Sequence, residues 1–349
     1  MYLPRVDFNQ LLALTDDTGI LQHSKFVIPD RKKGYTTDDN ARALVVCSKY
    51  HRIYNDKNLL KLIRTYLSFM TYMQRADGRF HNYLSYSHNF LDEIGSDDCL
   101  GRVLWSCGYT LDTGFSDGLN RALKEVFDKS LPWAMRSSSP RAKALALLGL
   151  CHYFKAFPND DNASSNIMIL AEWLLKRYDD ESAPDWLWFE PYLTYINARL
   201  PQALFKAFSI IADERYLRVA KDSFDFLTRI QILEGVFVPI GNDGWYVKGG
   251  QRAMYDQQPI ESTCMVEAAH SAFLVTRRER YREVAKLAFE WFLGNNVKGL
   301  SVYNEATGGC YDGLTPQGVN LNQGAESMLA YLLARLEIEC FSPKSSIGI

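Results

Sequence analysis

The sequence predicts an all-α protein whose helices close into an (α/α)6 toroid, a six-hairpin barrel formed by residues 1–349 as a single domain. Three observations lead to this prediction. Apolar residues recur at spacings of three and four along most of the chain, which is typical of helices. The helices are of two kinds that alternate strictly. One of these kinds recurs at intervals of 42 to 64 residues, which indicates a repeated structural unit.

The first kind of helix has a charged face and an apolar face, so it suits an outer layer with one side in water. Helices of this kind are predicted over 5–15, 58–75, 118–133, 164–178, 214–231 and 279–293. The second kind is apolar nearly all round and rich in Ala, Gly, Ser and Cys, so it must lie inside. Helices of this kind are predicted over 38–50, 97–110, 140–155, 197–211, 260–275 and 323–338. A strand pattern is evident only around Val236 to Val247.

The connections between the predicted helices are asymmetric. Those from an inner to an outer helix are short, whereas those from an outer to an inner helix are long, at 16–37, 76–96, 179–196, 232–259 and 294–322. The link at 134–139 is the short exception. Long loops in a compact domain are usually functional. Because each long loop precedes an inner helix, we expect the loops to gather on one face, which we call the mouth.

Composition excludes several classes of function. The net charge is −2, with basic and acidic residues mixed along the chain, which argues against a surface for nucleic acid or anionic membranes. The seven cysteines form no CxxC pair, so reduced core thiols are favoured over disulfides or a zinc site. The N-terminal stretch lacks the pattern of a secretion signal, and the longest apolar run is too short for a bilayer. These features predict a cytoplasmic protein.

Two predicted inner helices begin with adjacent acids, Asp38-Asp39 and Asp97-Asp98. A single Asp at a helix start usually caps free amide groups, for about 1 kcal/mol. A second acid adds a like charge that repels the first and so costs free energy. We therefore expect Asp38 to cap its helix and Asp39 to act in a cleft at the mouth, with Arg42 keeping Asp39 ionised.

Further polar and aromatic residues are predicted to collect at the mouth. Most of the aromatic rings would pack the loops onto the barrel, but together with acids and amides they could stack on sugar rings and bind hydroxyl groups. The sequence therefore predicts a carbohydrate site. Its expected substrate-binding residues are Asp38, Asn40, Arg42, Asp97, Trp188, Tyr192, Asn197, Arg199, Trp245, Asp256, Gln257, Asn322 and Glu326.

Several longer stretches carry a family resemblance: GYTTDDNARAL, SDDCLGR, WFEPYLTYINARLPQAL, YDQQPIESTCMVEAAH, GGCYDGL and VNLNQGAESMLAYLLARLE. They resemble a family of six-hairpin glycosidase-like proteins, which also occurs as a domain behind glycosyltransferases. The resemblance covers nearly the whole chain. It implies the (α/α)6 toroid and a role in sugar metabolism.

The favoured hypothesis is a glycoside hydrolase that acts by inversion on small oligosaccharides such as mannosides or glucosides. Such enzymes pair a protonated acid with a carboxylate that activates water. Asp39 is the expected base. Glu190, among tryptophans and a phenylalanine, is the expected acid because apolar surroundings raise the pKa of a carboxyl group. Asp98 and Glu261 are the reserve candidates for either role.

Two alternatives remain open. A sugar 2-epimerase or isomerase of the same fold would need histidine near neutral pKa, and only His23, His81 and His88 lie on loops of the mouth. A glycan-binding module without turnover, partnering a glycosyltransferase, would share the same fold. The expected partner is an oligosaccharide. We expect no cofactor, metal, nucleic acid or membrane, and a monomer or weak dimer.

Overall fold

The computed structural model describes residues 2–341, and this part of the chain contains twelve α-helices. In chain order they are α1 (Asn9–Leu14), α2 (Thr37–Tyr54), α3 (Leu60–Met73), α4 (Asp97–Thr113), α5 (Asp117–Arg136), α6 (Pro140–Ala156), α7 (Asp161–Glu181), α8 (Arg199–Ile211), α9 (Glu214–Gln231), α10 (Pro259–Thr276), α11 (Glu279–Glu290) and α12 (Ala325–Glu339). Short 3₁₀ turns lie at Arg31–Lys33 and Trp291–Leu293.

The even-numbered helices form a closed inner ring. Each packs against the next, and α12 returns to pack against α2. The odd-numbered helices cover the outside of this ring. The predicted all-α (α/α)6 toroid is therefore confirmed, and the six predicted inner and six predicted outer helices are the observed ones. Their ends shift by a few residues, as expected for helix boundaries.

The inner helices are buried nearly all round because they have neighbours on both sides and an outer helix behind. Six of the seven cysteines are buried, five of them in inner helices and Cys310 in the short strand Gly309–Cys310, as predicted for core thiols. The tightest contact joins α4 and α6. A side chain at Gly108 would place its Cβ 2.1 Å from the carbonyl oxygen of Gly149, so only glycine permits this approach.

Short antiparallel strands tie the loops together. There are six two-residue pairs in the described chain: β1–β2 (Ser24–Lys25, Ile28–Pro29), β3–β4 (Tyr35–Thr36, Tyr83–Leu84), β5–β8 (Tyr192–Leu193, Tyr246–Val247), β6–β7 (Ile232–Leu233, Val236–Phe237), β9–β10 (Tyr303–Asn304, Gly309–Cys310) and β11–β12 (Leu314–Thr315, Gly318–Val319). The predicted strand region around Val236 to Val247 holds β7 and β8. The other pairs escaped prediction because two residues are too few to display alternation.

Two of these pairs join different loops. The β3–β4 pair sets Tyr35 opposite Leu84 and so links the loops before α2 and α4. The β5–β8 pair sets Tyr192 opposite Val247 and links the loops before α8 and α10. Hydrogen bonds between strands therefore hold separate loops of the mouth together. Between residues 2 and 341 the structure has no helix with the length and apolar character needed to cross a membrane.

Candidate functional site

A cleft of about 380 Å³ opens at the mouth, over the N-terminal ends of α2 and α12 and the residue before α10. We call it the mouth cleft. Its lining is dominated by polar side chains: Gln22, His23, Thr36, Asp38, Asp39, Arg42, Asn82, Tyr83, Gln258, Asp312, Asn320, Gly324, Glu326 and Ser327.

The doubled acid of α2 lies in this cleft, but neither acid caps the helix. The cap is Thr36, whose hydroxyl oxygen accepts a hydrogen bond from the backbone N–H of Asp39 at 3.2 Å. At α4 the equivalent cap is Ser96, which precedes Asp97. The prediction that Asp38 caps the helix was wrong, because the helix begins earlier than its apolar pattern indicates. Both acids of α2 are free for other contacts.

Asp38 faces the cleft, with 19% of its side chain exposed. Its Oδ1 lies 3.4 Å from the guanidinium of Arg102 on α4 but accepts no hydrogen bond within the described chain. Its Oδ2 accepts a long hydrogen bond from the Asn82 amide at 3.5 Å. Asp38 therefore retains capacity to accept hydrogen bonds from a bound molecule.

Asp39 lies deeper, with only 3% of the residue exposed. Its two oxygens accept hydrogen bonds from the Thr36 hydroxyl and the Arg42 guanidinium, each at 2.7 Å. Burial raises the pKa of Asp39, and the opposing effect of Arg42 does not cancel it. The sequence predicted the reverse, an acid that Arg42 keeps ionised. The burial of the first turn beneath the loops explains the difference.

Arg42 links two helices of the ring. Its second nitrogen lies 2.6 Å from a carboxylate oxygen of Glu326, at the start of α12. Glu326 is half-exposed to the cleft. A single guanidinium thus holds Asp39 and Glu326 side by side, as predicted for a polar cluster where inner helices converge.

Asp312 is a cleft carboxyl that the sequence analysis did not select. It lies in the loop before α12, and its Oδ1 accepts a hydrogen bond from the Gly324 N–H at 2.8 Å. Burial raises the pKa of Asp312, while the nearby His23 acts in the opposite direction. The signal available in the sequence was its place in the GGCYDGL stretch, but a single loop acid carries no helical or strand pattern.

Glu190, the expected acid, occupies a different environment from the one predicted. Its carboxylate lies 2.8 Å from the guanidinium of Arg141, and both side chains are buried. Arg141 also donates to the Thr194 hydroxyl at 2.5 Å and to the Tyr195 carbonyl at 2.8 Å. Glu190 is therefore one partner of a buried cation that fixes the loop before α8, and it does not line the mouth cleft.

The reserve candidates Asp98 and Glu261 also hold this loop. Asp98 accepts hydrogen bonds from the hydroxyls of Ser139, at 2.9 Å, and Tyr195. Glu261 accepts from the Ile196 N–H. Burial raises the pKa of Glu261 to about 7. Neither acid lines the mouth cleft.

Three of the predicted binding residues are buried and make hydrogen bonds or ion pairs within the protein. Asn40 donates to the Thr36 carbonyl at 2.8 Å and accepts from the Ile20 N–H, so it holds the loop before α2. Asn197 does the same for the loop before α8, through the Thr194 carbonyl at 2.8 Å. Arg199 lies against Glu267 at 2.6 Å inside the ring. All three are buried, so the predicted binding role is corrected for each.

Two further predictions fail because the side chains are inaccessible. Trp188 is 0% exposed, packed in the core instead of presenting a face to sugar. Gln257 is also 0% exposed and accepts from the Trp291 indole at 2.9 Å. Its neighbour Gln258 reaches the cleft in its place.

The remaining predicted binding residues lie outside the mouth cleft but are accessible. Tyr192, Trp245, Asp97 and Asp256 are exposed, and Asn322 is partly exposed and accepts from the Phe26 N–H at 2.9 Å. Of the predicted site residues, the structure brings together only Asp38, Asp39, Arg42 and Glu326 in the cleft.

No family model matches this sequence, and no curated protein matches it, whereas solved structures share its fold. Cellobiose 2-epimerase from Bacillus thermoamylovorans B4167 has a TM-score of 0.73 and 10% identity, over 95% of each chain. A D-mannose isomerase has a TM-score of 0.73 and 14% identity, over 96% of each chain. These likenesses establish the six-hairpin fold.

The GH76A alpha-1,6-mannanase from Salegentibacter sp. HEL1_6 has the same fold, with a TM-score of 0.67 and 12% identity over 96% of each chain. A variant of that mannanase in which two consecutive aspartates are replaced by asparagine is inactive, and its structure contains alpha-1,6-mannotriose.

Proposed function

We propose that this protein is a glycoside hydrolase acting on oligosaccharides of neutral sugars such as mannosides or glucosides. The observation that carries the proposal is the mouth cleft, which presents carboxyl groups from two sides in two different environments. Hydrolysis of a glycosidic bond requires this combination, one carboxyl group to donate a proton and one carboxylate to assist the attack.

The two walls are defined by their contacts. Asp38 lies on the wall formed with Asn82 and Arg102, from the loop before α4 and from α4 itself. Asp312 lies on the wall formed with Gly324, from the loop before α12. Both side chains line the same cleft, and the proposal requires a sugar bound there to contact both.

The roles follow from these environments. Asp312 is the proposed proton donor, because burial raises its pKa and favours the protonated form. Asp38 is the proposed carboxylate that accepts a proton from the attacking water, since it has an unused oxygen beside a guanidinium. Water then adds to the anomeric carbon while the leaving oxygen takes the proton of Asp312. Asp39 and Glu326, bridged by Arg42, would bind sugar hydroxyls or support these groups.

Charge in the cleft supports a neutral substrate. The four carboxyl groups of Asp38, Asp39, Asp312 and Glu326 face one guanidinium, that of Arg42, within the lining. An anionic sugar would find no unpaired guanidinium in this lining, because Arg42 is already paired with Asp39 and Glu326. The inactive mannanase variant supports a role for consecutive aspartates in a protein of this fold, and Asp38 and Asp39 are the consecutive aspartates of this cleft.

A sugar epimerase or isomerase is the second candidate, favoured by the fold of the cellobiose 2-epimerase and the mannose isomerase. Moving a proton at a carbon beside a carbonyl group calls for a base with a pKa near neutrality. His23 is the only imidazole among the lining residues of the mouth cleft. His152 and His270 lie late in α6 and α10, away from the mouth. The carboxyl-rich lining therefore favours hydrolysis.

The experiment is an assay of reducing sugar and of the first-formed anomer by NMR, with manno- and gluco-oligosaccharides. We expect Asp38→Asn and Asp312→Asn to lose turnover by at least about a hundredfold, the usual contribution of acid–base groups. Asp161→Asn, an exposed acid of the outer helix α7, is the matched control and should retain parent activity. Epimer formation without sugar release would identify the second candidate, and saccharide binding without any product would identify a glycan-binding module.

Two finer expectations belong to the same proposal. The protein would act in the cytoplasm, consistent with its seven free cysteines, six of them buried. It would do so as one domain over residues 1–349, with an oligosaccharide as its partner and, under the binding alternative, a glycosyltransferase.

A further inference from the structure

A second cavity of about 340 Å³ opens on the same face, which we call the side cavity. It lies where α4 and α6 begin, beside the end of α5, and Asp97, Trp133, Arg136 and Ser138 line it. The connection before α6 is the short exception among the links that precede inner helices. Because no long loop covers the mouth at this point, the side cavity is open to solvent.

Only one layer of backbone separates the side cavity from the mouth cleft. Phe80 lines the side cavity, and Asn82, two residues further along, lines the mouth cleft. Gly95 closes the wall by donating to the Phe80 carbonyl at 2.7 Å. A Cβ at Gly95 would lie 3.0 Å from the Asn82 Cβ, so the two cavities are directly adjacent.

The lining of the side cavity has the chemistry of a sugar site. Trp133 and Leu100 supply apolar surface, and the guanidinium of Arg79 lies 4.3 Å over the Trp133 ring, so a pyranose ring would pack beside this arginine–tryptophan pair. Asp97 and Ser138 are exposed polar groups that can bind hydroxyls. The guanidinium of Arg136 lies 5.6 Å over the Trp133 ring and has no hydrogen bond or ion pair within residues 2–341.

The charges do not favour an anion. The other arginine of the cavity, Arg79, already pairs with Asp77 at 2.6 Å. Asp97 adds a negative charge to the same lining, and its carboxylate accepts a hydrogen bond from the Ser137 hydroxyl at 2.5 Å. A neutral, hydroxyl-rich ligand with an apolar face therefore fits better than a phosphate or a carboxylate.

We propose that the side cavity is a second saccharide subsite, which binds the sugar units of a chain beyond those held in the mouth cleft. The natural substrate is then a linear oligosaccharide longer than a disaccharide, which enters or leaves the mouth over the short link before α6. The inference that the oligosaccharide extends from the mouth cleft into the side cavity rests on the proposed function, because that proposal places the cleaved bond in the mouth cleft.

The test is calorimetric titration of the full chain carrying Asp312→Asn, the parent of this series, which the proposed function makes unable to cleave the sugars; the ligands are alpha-1,6-mannooligosaccharides and cello-oligosaccharides of two to five units. We expect Kd in one series to fall by about tenfold or more as the chain lengthens past two units, which corresponds to about 1.4 kcal/mol. Ser138→Trp, which fills the exposed end of the side cavity, should remove this gain and leave binding of the disaccharide unchanged. Arg136→Ala should reduce it.

The control is Ser165→Trp, the same exchange at an exposed position of the outer helix α7, which should retain the parent's length dependence. Length-independent binding by the parent, or a full gain in Ser138→Trp, would overturn the subsite. Length-dependent binding that Ser138→Trp removes, with no sugar released by the chain that keeps Asp312, would support the subsite while refuting hydrolysis.

Discussion

Asp38 and Asp39 are neighbours in sequence with opposite environments. Asp38 keeps an oxygen free of hydrogen bonds and contacts Arg102 at 3.4 Å. Asp39 is enclosed by Thr36 and Arg42, and burial raises its pKa. Successive residues of a helix point about 100° apart, so one of two adjacent acids can face the cleft while the other turns into the protein.

Glu261 is a second acid whose pKa is raised by burial, and the effect of this shift on stability can be measured. Burial raises its pKa from 4.5 to about 7, although the Ile196 N–H, the Arg141 charge and Asn197 oppose the shift. The folded state therefore binds this proton more tightly than the unfolded state does. The resulting contribution to stability is complete below about pH 4.5 and is lost as the pH rises through about 7.

We predict that Glu261→Gln changes the free energy of unfolding relative to the parent, and that this difference favours the variant more at pH 8 than at pH 5. The rise of the pKa from 4.5 to about 7 corresponds to at most about 3.5 kcal/mol, since one pKa unit is about 1.4 kcal/mol. The measurement is the free energy of unfolding by urea for both proteins at both pH values. A constant difference between them would show that Glu261 ionises normally.

At the scale of the element, the first turn of α2 depends on a hydroxyl group and not on its doubled acid. Thr36 accepts from the Asp39 N–H at 3.2 Å and donates to the Asp39 carboxylate at 2.7 Å. The same turn is held by Asn40, which donates to the Thr36 carbonyl. A cap placed before both acids leaves Asp38 available to the cleft.

We predict that Thr36→Ala lowers the free energy of unfolding by about 1 to 2 kcal/mol, the usual cost of losing a helix cap. Thr36→Ser retains the hydroxyl and should cost less. Asp38→Ala should not show a capping loss, since its side chain accepts no bond from the first turn. Urea denaturation measures these changes. Equal losses of unfolding free energy in Thr36→Ala and Asp38→Ala would indicate that Asp38 also caps the helix.

At the scale of the molecule, the inner ring is joined across its centre by buried charges. Lys49 of α2 lies 2.8 Å from Glu267 of α10 and 2.5 Å from Glu337 of α12. Arg199 of α8 approaches the same Glu267 at 2.6 Å. Four inner helices thus share one network of ion pairs. Removing one partner of a buried ion pair is costly because it leaves the other charge uncompensated.

We predict that Lys49→Met destabilises the protein by about 3 to 5 kcal/mol at neutral pH. Burial disfavours the ionised form of Glu337, but the charges of Lys49 and His270 outweigh burial and hold its pKa well below 4.5. The stabilising contribution is therefore present above pH 4.5 and is lost as the pH falls through the lower, folded-state pKa.

The loss in Lys49→Met should consequently shrink as the pH falls below 4.5 toward the folded-state pKa of Glu337. Thermal unfolding at pH 7 and at the lowest pH at which the parent stays folded measures this, with exposed Lys176→Met as the matched control. A loss of equal size at both pH values would indicate that packing of the lysine stem, and not its charge, is what the ring requires.

Local patterns in the sequence were enough to determine the helices and their order. The charged faces of the outer helices and the all-round apolar character of the inner helices predicted the toroid, because burial of each face follows directly from residue spacing. The position of the mouth also followed from the sequence, since the long links precede inner helices. Asp38, Asp39, Arg42 and Glu326 were predicted in the site for this reason.

Only the tertiary structure decided which of the predicted residues face the cleft. Glu190 meets Arg141, which lies 49 positions away in the chain, and Gln257 meets Trp291, which lies 34 positions away. Asp312 enters the cleft from a loop with no pattern of its own. Helix periodicity specifies the face on which a side chain lies. Its burial, its partner and hence its pKa depend on loops brought from distant parts of the chain, and the sequence by itself does not contain those distances.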